Sequence, residues 1–212
     1  MSRPSRNQDK LLIQAGRKLL PETGISGLSV RKVAAEAGVN PGMFHYHFKT
    51  KRRFARMVLQ EIYEEFFKGF SVESGGGSPP LERLRRALLA LGRFARDNRR
   101  LFIILLHDVI EGEAEVTSFV TANFPRHIGI LLGLIRECRG RGLLKKAPLP
   151  NTVAFLAGGA IAPNVGFGLL ERVSSRKPLG LAMRFIEPML VSDAAIASRV
   201  DWALAALAKE AA

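Results

Sequence analysis

Hydrophobic residues recur along most of the chain at intervals of three and four positions, which is the period of an amphipathic α-helix. The first helix begins near Leu11, and Pro21 is expected to end it. Two short helices and a longer one follow, as far as about residue 70. Because no segment alternates convincingly between apolar and polar residues, the pattern predicts an all-α fold. Further helices are predicted at about 81–98, 100–111, 115–139, 150–172 and 194–209.

Glycine and proline mark the interruptions in this pattern. The stretch 71–80 (SVESGGGSPP) is predicted to be a loop and the boundary between two units. Pro125 is expected to bend the helix that contains it, and the glycines at 140–142 are expected to end that helix. Segment 173–193, which contains Pro178 and Pro188, is predicted to be a partly ordered connection.

Residues 29–48 carry the signals for two short helices joined by a tight turn. Ser29 can cap the first helix, and Gly38 supplies the left-handed residue that ends it. Asn40 can cap the second helix, and Pro41 takes its first position, where a missing N–H costs nothing. This succession predicts a helix-turn-helix, the element that lays its second helix in the major groove of DNA.

The net charge of +13 is concentrated at the N-terminus, where residues 1–60 hold twelve Lys and Arg against three acids. Such a field suits a polyanion such as DNA, whereas solvated surface cations and acidic lipid are the alternatives. Cations also crowd two helix starts, where the helix dipole disfavours them. An external phosphate would relieve both starts, unless the long side chains simply reach into water. These cations are Arg31 and Lys32 after Ser29, and Lys51, Arg52, Arg53 and Arg56 after Thr50.

The run GISGLSVRKVAAEAGVNPGMFHYHFKTKRRF, residues 24–54, resembles the DNA-binding segment of TetR-family regulators, and the resemblance covers about residues 8–60. It implies an N-terminal three-helix DNA-binding domain at 1–54 and a C-terminal helical domain for ligand binding and dimerisation at 55–212. It also implies a homodimer that binds a pseudo-palindromic operator and releases it when a small-molecule effector binds.

The resemblance assigns roles to individual residues of this segment. It implies that Phe44 and Phe48 are core residues that do not touch DNA. Met43 stands where the family has a small hydroxyl residue, so an apolar contact with a thymine methyl replaces a hydrogen bond there. Arg52 and Arg53 stand where acids are common, which implies a stronger grip on the DNA backbone. The residues implied to contact DNA are Ser29, Arg31, Pro41, Gly42, Met43, His45, Tyr46, His47, Thr50 and Lys51.

The C-terminal part contains most of the thirteen phenylalanines. Some of them, with two histidines, are expected to line a cavity for an apolar or aromatic effector, since ligand cavities are mainly hydrophobic. The last two helices are expected to form a four-helix interface across a two-fold axis, and burial within one chain is the alternative. The expected pocket residues are Phe66, Phe70, Phe102, His107, Phe124, His127, Phe155 and Phe167, and the expected interface residues are Gly158, Gly159, Leu204 and Leu207.

Catalytic signatures are absent from the sequence, which contains no GxSxG, no phosphate-binding loop and no paired-carboxylate pattern. His107 and Glu111 have a workable ligand spacing but no third ligand nearby, so neither a metal nor another cofactor is predicted. The single Cys138 excludes an internal disulfide and fits a reducing cytoplasm. The uncharged stretch 152–170 has nearly the length of a membrane span, but its glycines and Pro163 favour a buried helix.

These observations and the resemblance together predict a cytoplasmic homodimer that regulates transcription; the resemblance implies repression, and activation is the alternative. Its expected partners are double-stranded DNA, a second copy of the chain and a small apolar or aromatic effector, with no membrane. One alternative is an all-helical enzyme or small-molecule carrier with an incidental basic end. The other is a peripheral membrane protein, which the capped short helices disfavour because lipid surfaces select long amphipathic helices.

Overall fold

The structure, a computed structural model, describes residues 7–173 and 179–209, without the side chains of residues 179–182. These residues form α-helices and no β-strand, which confirms the predicted all-α fold, and one isolated bridge joins Leu144 and Ala208. In chain order the described helices are α1 (Gln8–Gly27), α2 (Val30–Glu36), α3 (Pro41–Phe48), α4 (Lys51–Ser74), α5 (Pro80–Asp97), α6 (Arg99–Ile110), α7 (Ala114–Gly140), α8 (Leu149–Val173), α9 (Leu179–Val191) and α10 (Asp193–Leu207).

The described residues divide into two compact units, each with its own core. The first unit comprises residues up to Glu65 together with Arg100–Asn123, so it contains α1 to α3, most of α4 and nearly all of α6. The second unit comprises Phe66–Arg99 and the described residues from Phe124 onward. The division into functional domains after residue 54 stays a prediction.

Large apolar side chains and one small residue hold α1 against α4 in the first unit. Leu12 and Leu20 of α1 and Phe54 of α4 are completely buried. A Cβ atom on Gly16 would lie 2.6 Å from the Cζ atom of Phe54, which is closer than real Cβ contacts. Because close-packed interiors do not yield by that much, glycine at position 16 sets how closely the two helices approach.

The first helix continues past Pro21, so the prediction that Pro21 ends it is wrong. A proline removes one backbone hydrogen bond, and the burial of Leu20 and Ile25 on either side of it offsets that loss. The break lies instead at Gly24, whose φ of 63° and ψ of −176° are not helical. That combination of angles belongs essentially to glycine alone.

Helix α5 is the centre of the second unit and packs against α8 and α10. A Cβ atom on Gly92 of α5 would lie 2.6 Å from Ile196 Cγ2 and 3.3 Å from the carbonyl oxygen of Ala160. Gly92 therefore allows the close approach of α5 to α8 and α10. A Cβ atom on Gly158 or Gly159 would meet nothing within 4 Å.

The prediction of a partly ordered connection at 173–193 is wrong for 179–191, which form helix α9, while residues 174–178 with Pro178 lie outside the described residues. Pro188 lies inside α9. Arginine side chains from other helices supply donors to the carbonyl oxygens at the end of α9, at Leu190 and Val191. Met183 and Val191 also bury their side chains with Phe167 of α8 in a small cluster. The arginine donors satisfy carbonyl groups at the C-terminal end of α9, and the packing of this cluster offsets the hydrogen bond that the proline lacks.

Two predicted interruptions differ in detail from the structure. Helix α4 runs to Ser74, whose buried hydroxyl donates to the carbonyl oxygen of Phe70, so the predicted loop 71–80 is shortened to 75–79. Helix α7 contains Pro125 and ends at Gly140, and Gly142 follows with a φ of 71°, as predicted for the end of that helix.

Helix α8 is long and apolar enough to cross a membrane by length and composition, the one such helix among the described residues. Within the most apolar 18-residue stretch of α8, 33% is buried inside the structure. The core helix of a globular domain can have the same length and composition, so this property is weak evidence for a span.

Candidate DNA-binding interface

Helices α2 and α3 are joined by a tight turn, and the predicted caps are confirmed. The Ser29 hydroxyl accepts from the N–H of Lys32 at 3.5 Å, and the Asn40 side-chain oxygen accepts from the N–H of Gly42 at 2.8 Å. Gly38 between the helices has a φ of 65°, the left-handed conformation expected of it. Local hydrogen bonds therefore specify the angle at which α3 leaves the turn.

The inner face of α3 is fixed by aromatic packing within the first unit. The side chains of Phe44 and Phe48 are buried, as predicted. Their ring centroids lie 4.9 and 4.8 Å from that of Phe54 in α4. Aromatic contacts at these distances hold both helices in one arrangement, so the opposite face of α3 is presented on a rigid support.

The outer face of α3 carries most of the residues that the sequence assigned to DNA. Tyr46 is 67% exposed, and its ring stands edge-on to that of His47 at 5.0 Å. The His47 ring is half-buried, and its Nε2 atom has no hydrogen-bond partner within the described part of the chain. Of the ten assigned residues, those exposed are Arg31, Pro41, Gly42, His45, Tyr46 and Thr50, and those half-buried are Ser29, Met43, His47 and Lys51.

The start of α4 lies directly after this helix and is also capped. The Thr50 hydroxyl accepts from the N–H of Arg53 at 3.2 Å, so Thr50 caps α4. The Lys51 ammonium donates to the carbonyl oxygen of Ser26 at 2.7 Å, near the end of α1. Lys51 therefore ties α4 to α1, and its ammonium group has further N–H donors that a phosphate could accept.

Sequence reasoning missed the strained residue between α3 and α4. Lys49 has a φ of 63° and a ψ of −53°, and the N–H of Thr50 donates to the carbonyl oxygen of Phe48 at 2.7 Å. An i to i+2 bond with these angles is the rare, strained form of the γ-turn. A lysine with positive φ is uncommon, and no glycine or asparagine at position 49 signalled such a turn.

Two of the cations at the start of α4 are paired with acids of the same unit. Arg52 Nε lies 3.1 Å from Glu113 Oε1, and Arg56 Nη1 lies 3.4 Å from Glu115 Oε2. These carboxylates provide the negative charge that the helix dipole favours at a helix start. The expectation that an external phosphate completes this start is therefore corrected for these two arginines.

The remaining cations of the helix starts are open to solvent. Arg31 and Lys32 on α2, Lys49 in the turn and Arg53 on α4 are exposed. They form no ion pair within residues 7–173 and 179–209. These four charges, with Lys51, are available to a polyanion.

A buried carboxylate joins α6 to the break in α1, and nothing in the sequence distinguished it from a surface acid. Asp108 is 3% exposed and accepts from the N–H of Ile25 at 3.1 Å. A Cβ atom on Gly24 would lie 3.0 Å from one of its oxygens. His107 beside it, which the sequence assigned to a ligand pocket, has a largely exposed side chain.

The predicted pocket residues do not all come together. Phe66, Phe70, Phe124 and His127 form one ring cluster in the second unit, with the His127 centroid 5.2 to 6.3 Å from the three phenylalanines. Burial, with a contribution from the neighbouring Arg126 charge, lowers the pKa of His127 to about 4. His127 is therefore neutral at physiological pH.

The other four predicted pocket residues lie elsewhere. Phe102 and His107 belong to the first unit, and Phe155 on α8 is 50% exposed. Phe167 is buried in the small cluster with α9, and the Arg99 guanidinium lies 5.7 Å from its ring centroid. A separate open depression of about 640 Å³ lies on α7, lined by Gly112, Ala114, Thr117, Ser118, Thr121 and Ala122.

The residues predicted for a dimer interface divide into two groups. Gly158 and Gly159 are half-buried with open space beside them, on a helix whose apolar residues Leu169 and Leu170 are exposed. Leu204, by contrast, is 7% exposed and belongs to the core of its own chain, with Leu207 packed against that core. Burial within one chain therefore accounts for these two leucines, which corrects their assignment to an interface.

The segment that contains the helix-turn-helix is similar to known proteins. Residues 12–57 match the family model described as bacterial regulatory proteins, tetR family. The chain is 33% identical over 81 residues to the HTH-type transcriptional repressor DhaR of Mycobacterium sp., which is 38% of this chain and 41% of DhaR. It is 25% identical over 118 residues to the HTH-type transcriptional repressor KstR2 of Mycolicibacterium smegmatis, which is 56% of this chain and 57% of KstR2. The chain thus spans about half the length of these curated relatives.

A solved structure extends the similarity to the whole fold. The TetR transcription regulator from Haloarcula marismortui superimposes with a TM-score of 0.73, covering 96% of this chain and 99% of that protein, at 16% sequence identity. At this identity the superposition shows a shared fold.

Proposed function

We propose that this chain, whose residues 12–57 match the family model of the tetR-family bacterial regulatory proteins, is a DNA-binding transcriptional regulator of that family. It is a homodimeric repressor that a small apolar or aromatic effector releases from its operator. Two copies would place their α3 helices in successive major grooves, about 34 Å apart on B-form DNA. DNA, a second copy and the effector are its partners, and the cytoplasm is where it meets them.

The outer face of α3 carries this proposal. Pro41, Gly42, His45 and Tyr46 are exposed on a helix whose opposite face is locked by Phe44 and its aromatic neighbours. Helices that read DNA need this combination of a rigid support and an exposed face, because base contacts demand a fixed register. The unpaired cations around α3 supply the sequence-independent attraction to phosphate.

The exposed side of α8 supports the proposed homodimer. Its outward stripe combines the large apolar side chains of Phe155 and Leu169, which are 50% and 52% exposed, with Gly158 and Gly159. Exposed apolar faces of this kind mark protein interfaces, and small residues let a helix of a second copy come close. A two-fold axis at this face would bring two copies of α8 together.

The ring cluster around His127 supports an apolar or aromatic effector. The cluster is made of aromatic carbon surfaces and one imidazole that is neutral at pH 7, so it offers no full charge of its own to an anionic ligand. An effector would release DNA only if it binds the DNA-free arrangement of the dimer more tightly than the DNA-bound one.

A DNA titration tests the regulator proposal. Binding of the protein to its own upstream intergenic DNA and to a random duplex of equal length is measured by fluorescence anisotropy between 50 and 300 mM salt, on the order of the range in which phosphate contacts are lost. We expect a steep negative salt dependence for both duplexes and a preference for the intergenic DNA of about 1,000-fold or more. Equal affinity for the two duplexes at every salt concentration contradicts the proposal.

Two substitutions separate base reading from backbone grip. Tyr46→Ala should weaken binding and reduce the preference for the intergenic DNA, because Tyr46 is exposed at the centre of α3. Lys51→Ala should weaken binding to both duplexes by about the same factor, since an ammonium contacts phosphate rather than base edges. The reverse pattern overturns these two assignments.

The homodimer is tested by sedimentation of two matched variants. Gly159→Leu puts a large side chain on the exposed stripe of α8, and Gly69→Leu puts the same side chain on α4, where a Cβ atom also meets nothing within 4 Å. We expect Gly159→Leu to shift the population toward monomer and Gly69→Leu to leave the dimer unchanged. If both variants have the same dimer dissociation constant, the dimer interface lies elsewhere.

A further inference from the structure

Two acids of the α6–α7 region are paired with arginines at the start of α4. Glu113 lies between α6 and α7, and Glu115 lies in the first turn of α7. Their partners Arg52 and Arg56 are one helical turn apart on the same side of α4, at contact distances of 3.1 and 3.4 Å. All four residues belong to the first compact unit.

The position of the arginines makes them potential phosphate ligands. Arg52 is the second residue after the Thr50 cap and stands beside Arg53, which is exposed without an acid partner in the described ranges. Phosphates at a helix N-terminus are stabilised by free N–H groups and by the helix dipole, and an arginine there adds a full charge. A carboxylate of the same chain that pairs with that arginine takes the place of a DNA phosphate.

Both ion pairs have the features of exchangeable contacts. The Arg52 and Arg56 side chains are 68% and 49% exposed and reach water, whereas the Glu113 and Glu115 side chains are only 12% and 31% exposed. The Glu113 oxygen facing Arg52 is buried and accepts no hydrogen bond from the residues described. The Arg52 guanidinium and the Glu113 carboxylate are therefore in contact, but their geometry is not that of a hydrogen bond. The phosphates of a duplex therefore have to displace a carboxylate before they reach either arginine.

We propose that Glu113 and Glu115 compete with DNA phosphates for Arg52 and Arg56, and that they thereby limit the sequence-independent part of DNA binding. This inference rests on the proposed function, because it concerns the strength of the same interface. Its consequence is specificity: a regulator that grips random DNA less strongly is less diluted over the many competing sites of a genome.

The test compares the wild-type chain with the double variant Glu113→Gln, Glu115→Gln. The affinity of each for a random-sequence duplex is measured; a duplex of about 30 base pairs gives more than two helical turns. In the proposed homodimer the double variant frees four arginines, two in each copy, and this steepens the slope of log affinity against log salt by about 3.6, at 0.9 per contact. The loss of affinity between 50 and 200 mM salt should then be about 150-fold larger than in the wild type. An unchanged slope, or a shallower one, overturns the proposal.

A matched control removes the effect of net charge. Glu82→Gln with Glu137→Gln raises the charge by the same amount in the second unit, where these acids pair with other arginines. We expect this control to change the slope by much less than the first double variant. Equal changes in the two variants overturn the proposal, because they show that only the total charge matters.

A second double variant tests the proposal without touching the acids. Arg52→Gln with Arg56→Gln should leave the salt slope of the wild type nearly unchanged, because the acids already withhold these arginines from DNA. A clearly shallower slope overturns the proposal, since it shows that the arginines contact phosphate in spite of the acids. If instead the wild type binds no duplex even at low salt, the proposed function itself fails, and the two failures are thereby distinguished.

Discussion

Gly24 is the residue at which the DNA-binding unit should be least tolerant of a single added methyl group. Its φ of 63° and ψ of −176° lie in the region that only glycine adopts readily. The added Cβ atom would lie 3.0 Å from Asp108 Oδ1 and 3.1 Å from Ile104 Cγ2, both buried on α6. Gly24→Ala therefore strains the backbone and pushes against α6 at the same time.

The magnitude follows from these two effects. A non-glycine residue in such a backbone region costs about 1–3 kcal/mol. Relief of the contact requires Asp108 to move, which weakens the 3.1 Å hydrogen bond it accepts from Ile25, and disturbing a buried hydrogen bond to a charged group costs roughly 1–3 kcal/mol. We expect Gly24→Ala to lower the free energy of unfolding by about 3–5 kcal/mol, a large part of the total for a domain.

The assay is urea unfolding followed by far-UV circular dichroism, with hydrogen exchange of α1 and α6 as a local measure because the chain has two compact units. Gly38→Ala is the matched control: its φ is 65°, but a Cβ atom there meets nothing within 4 Å, so about 1–2 kcal/mol is expected. If Gly24→Ala costs no more than Gly38→Ala, the reasoning about the contact with Asp108 is refuted.

Two further predictions concern His127 and Lys49. Burial lowers the pKa of His127 from 6.5 to about 4, so as the pH falls the unfolded chain is protonated at this imidazole before the folded chain is. The free energy of unfolding should therefore decrease between pH 6.5 and pH 4, by about 2 kcal/mol after solvent screening. His127→Gln should remove that part of the pH dependence in urea unfolding at several pH values, and an unchanged dependence contradicts the assignment. Lys49→Gly should raise the thermal midpoint by relieving a strained φ of 63°, a gain of about 1 kcal/mol, whereas Lys49→Ala should bring none; equal midpoints for the two variants contradict the strain.

The helix-turn-helix could be predicted from the sequence because its signals are local. Ser29, Gly38 and Asn40 act on backbone groups within three residues of themselves, and Phe44 and Phe48 repeat at the helical period. Such signals hold in almost any tertiary context. They are also the residues that carry the family resemblance, which is why the fold class and the family were accessible without a structure.

Local signals were misleading where packing outweighs a single backbone hydrogen bond. Pro21 and Pro188 both lie inside helices, because the burial of neighbouring side chains offsets the missing N–H. Leu204 lies on a helix whose composition suited an interface, yet it faces the core of its own chain. Periodicity shows that a helix has an apolar face, but not which surface covers that face.

The sequence by itself determined the all-α fold, the caps of the helix-turn-helix and the excess of positive charge around it. Only the tertiary structure decided which of those charges are free. Arg52 and Arg56 find acids about 60 residues away along the chain, and Asp108 accepts from a backbone N–H 83 residues away. Pairings at that separation depend on how helices pack rather than on neighbours in sequence, because electrostatic contacts are set by distance in space.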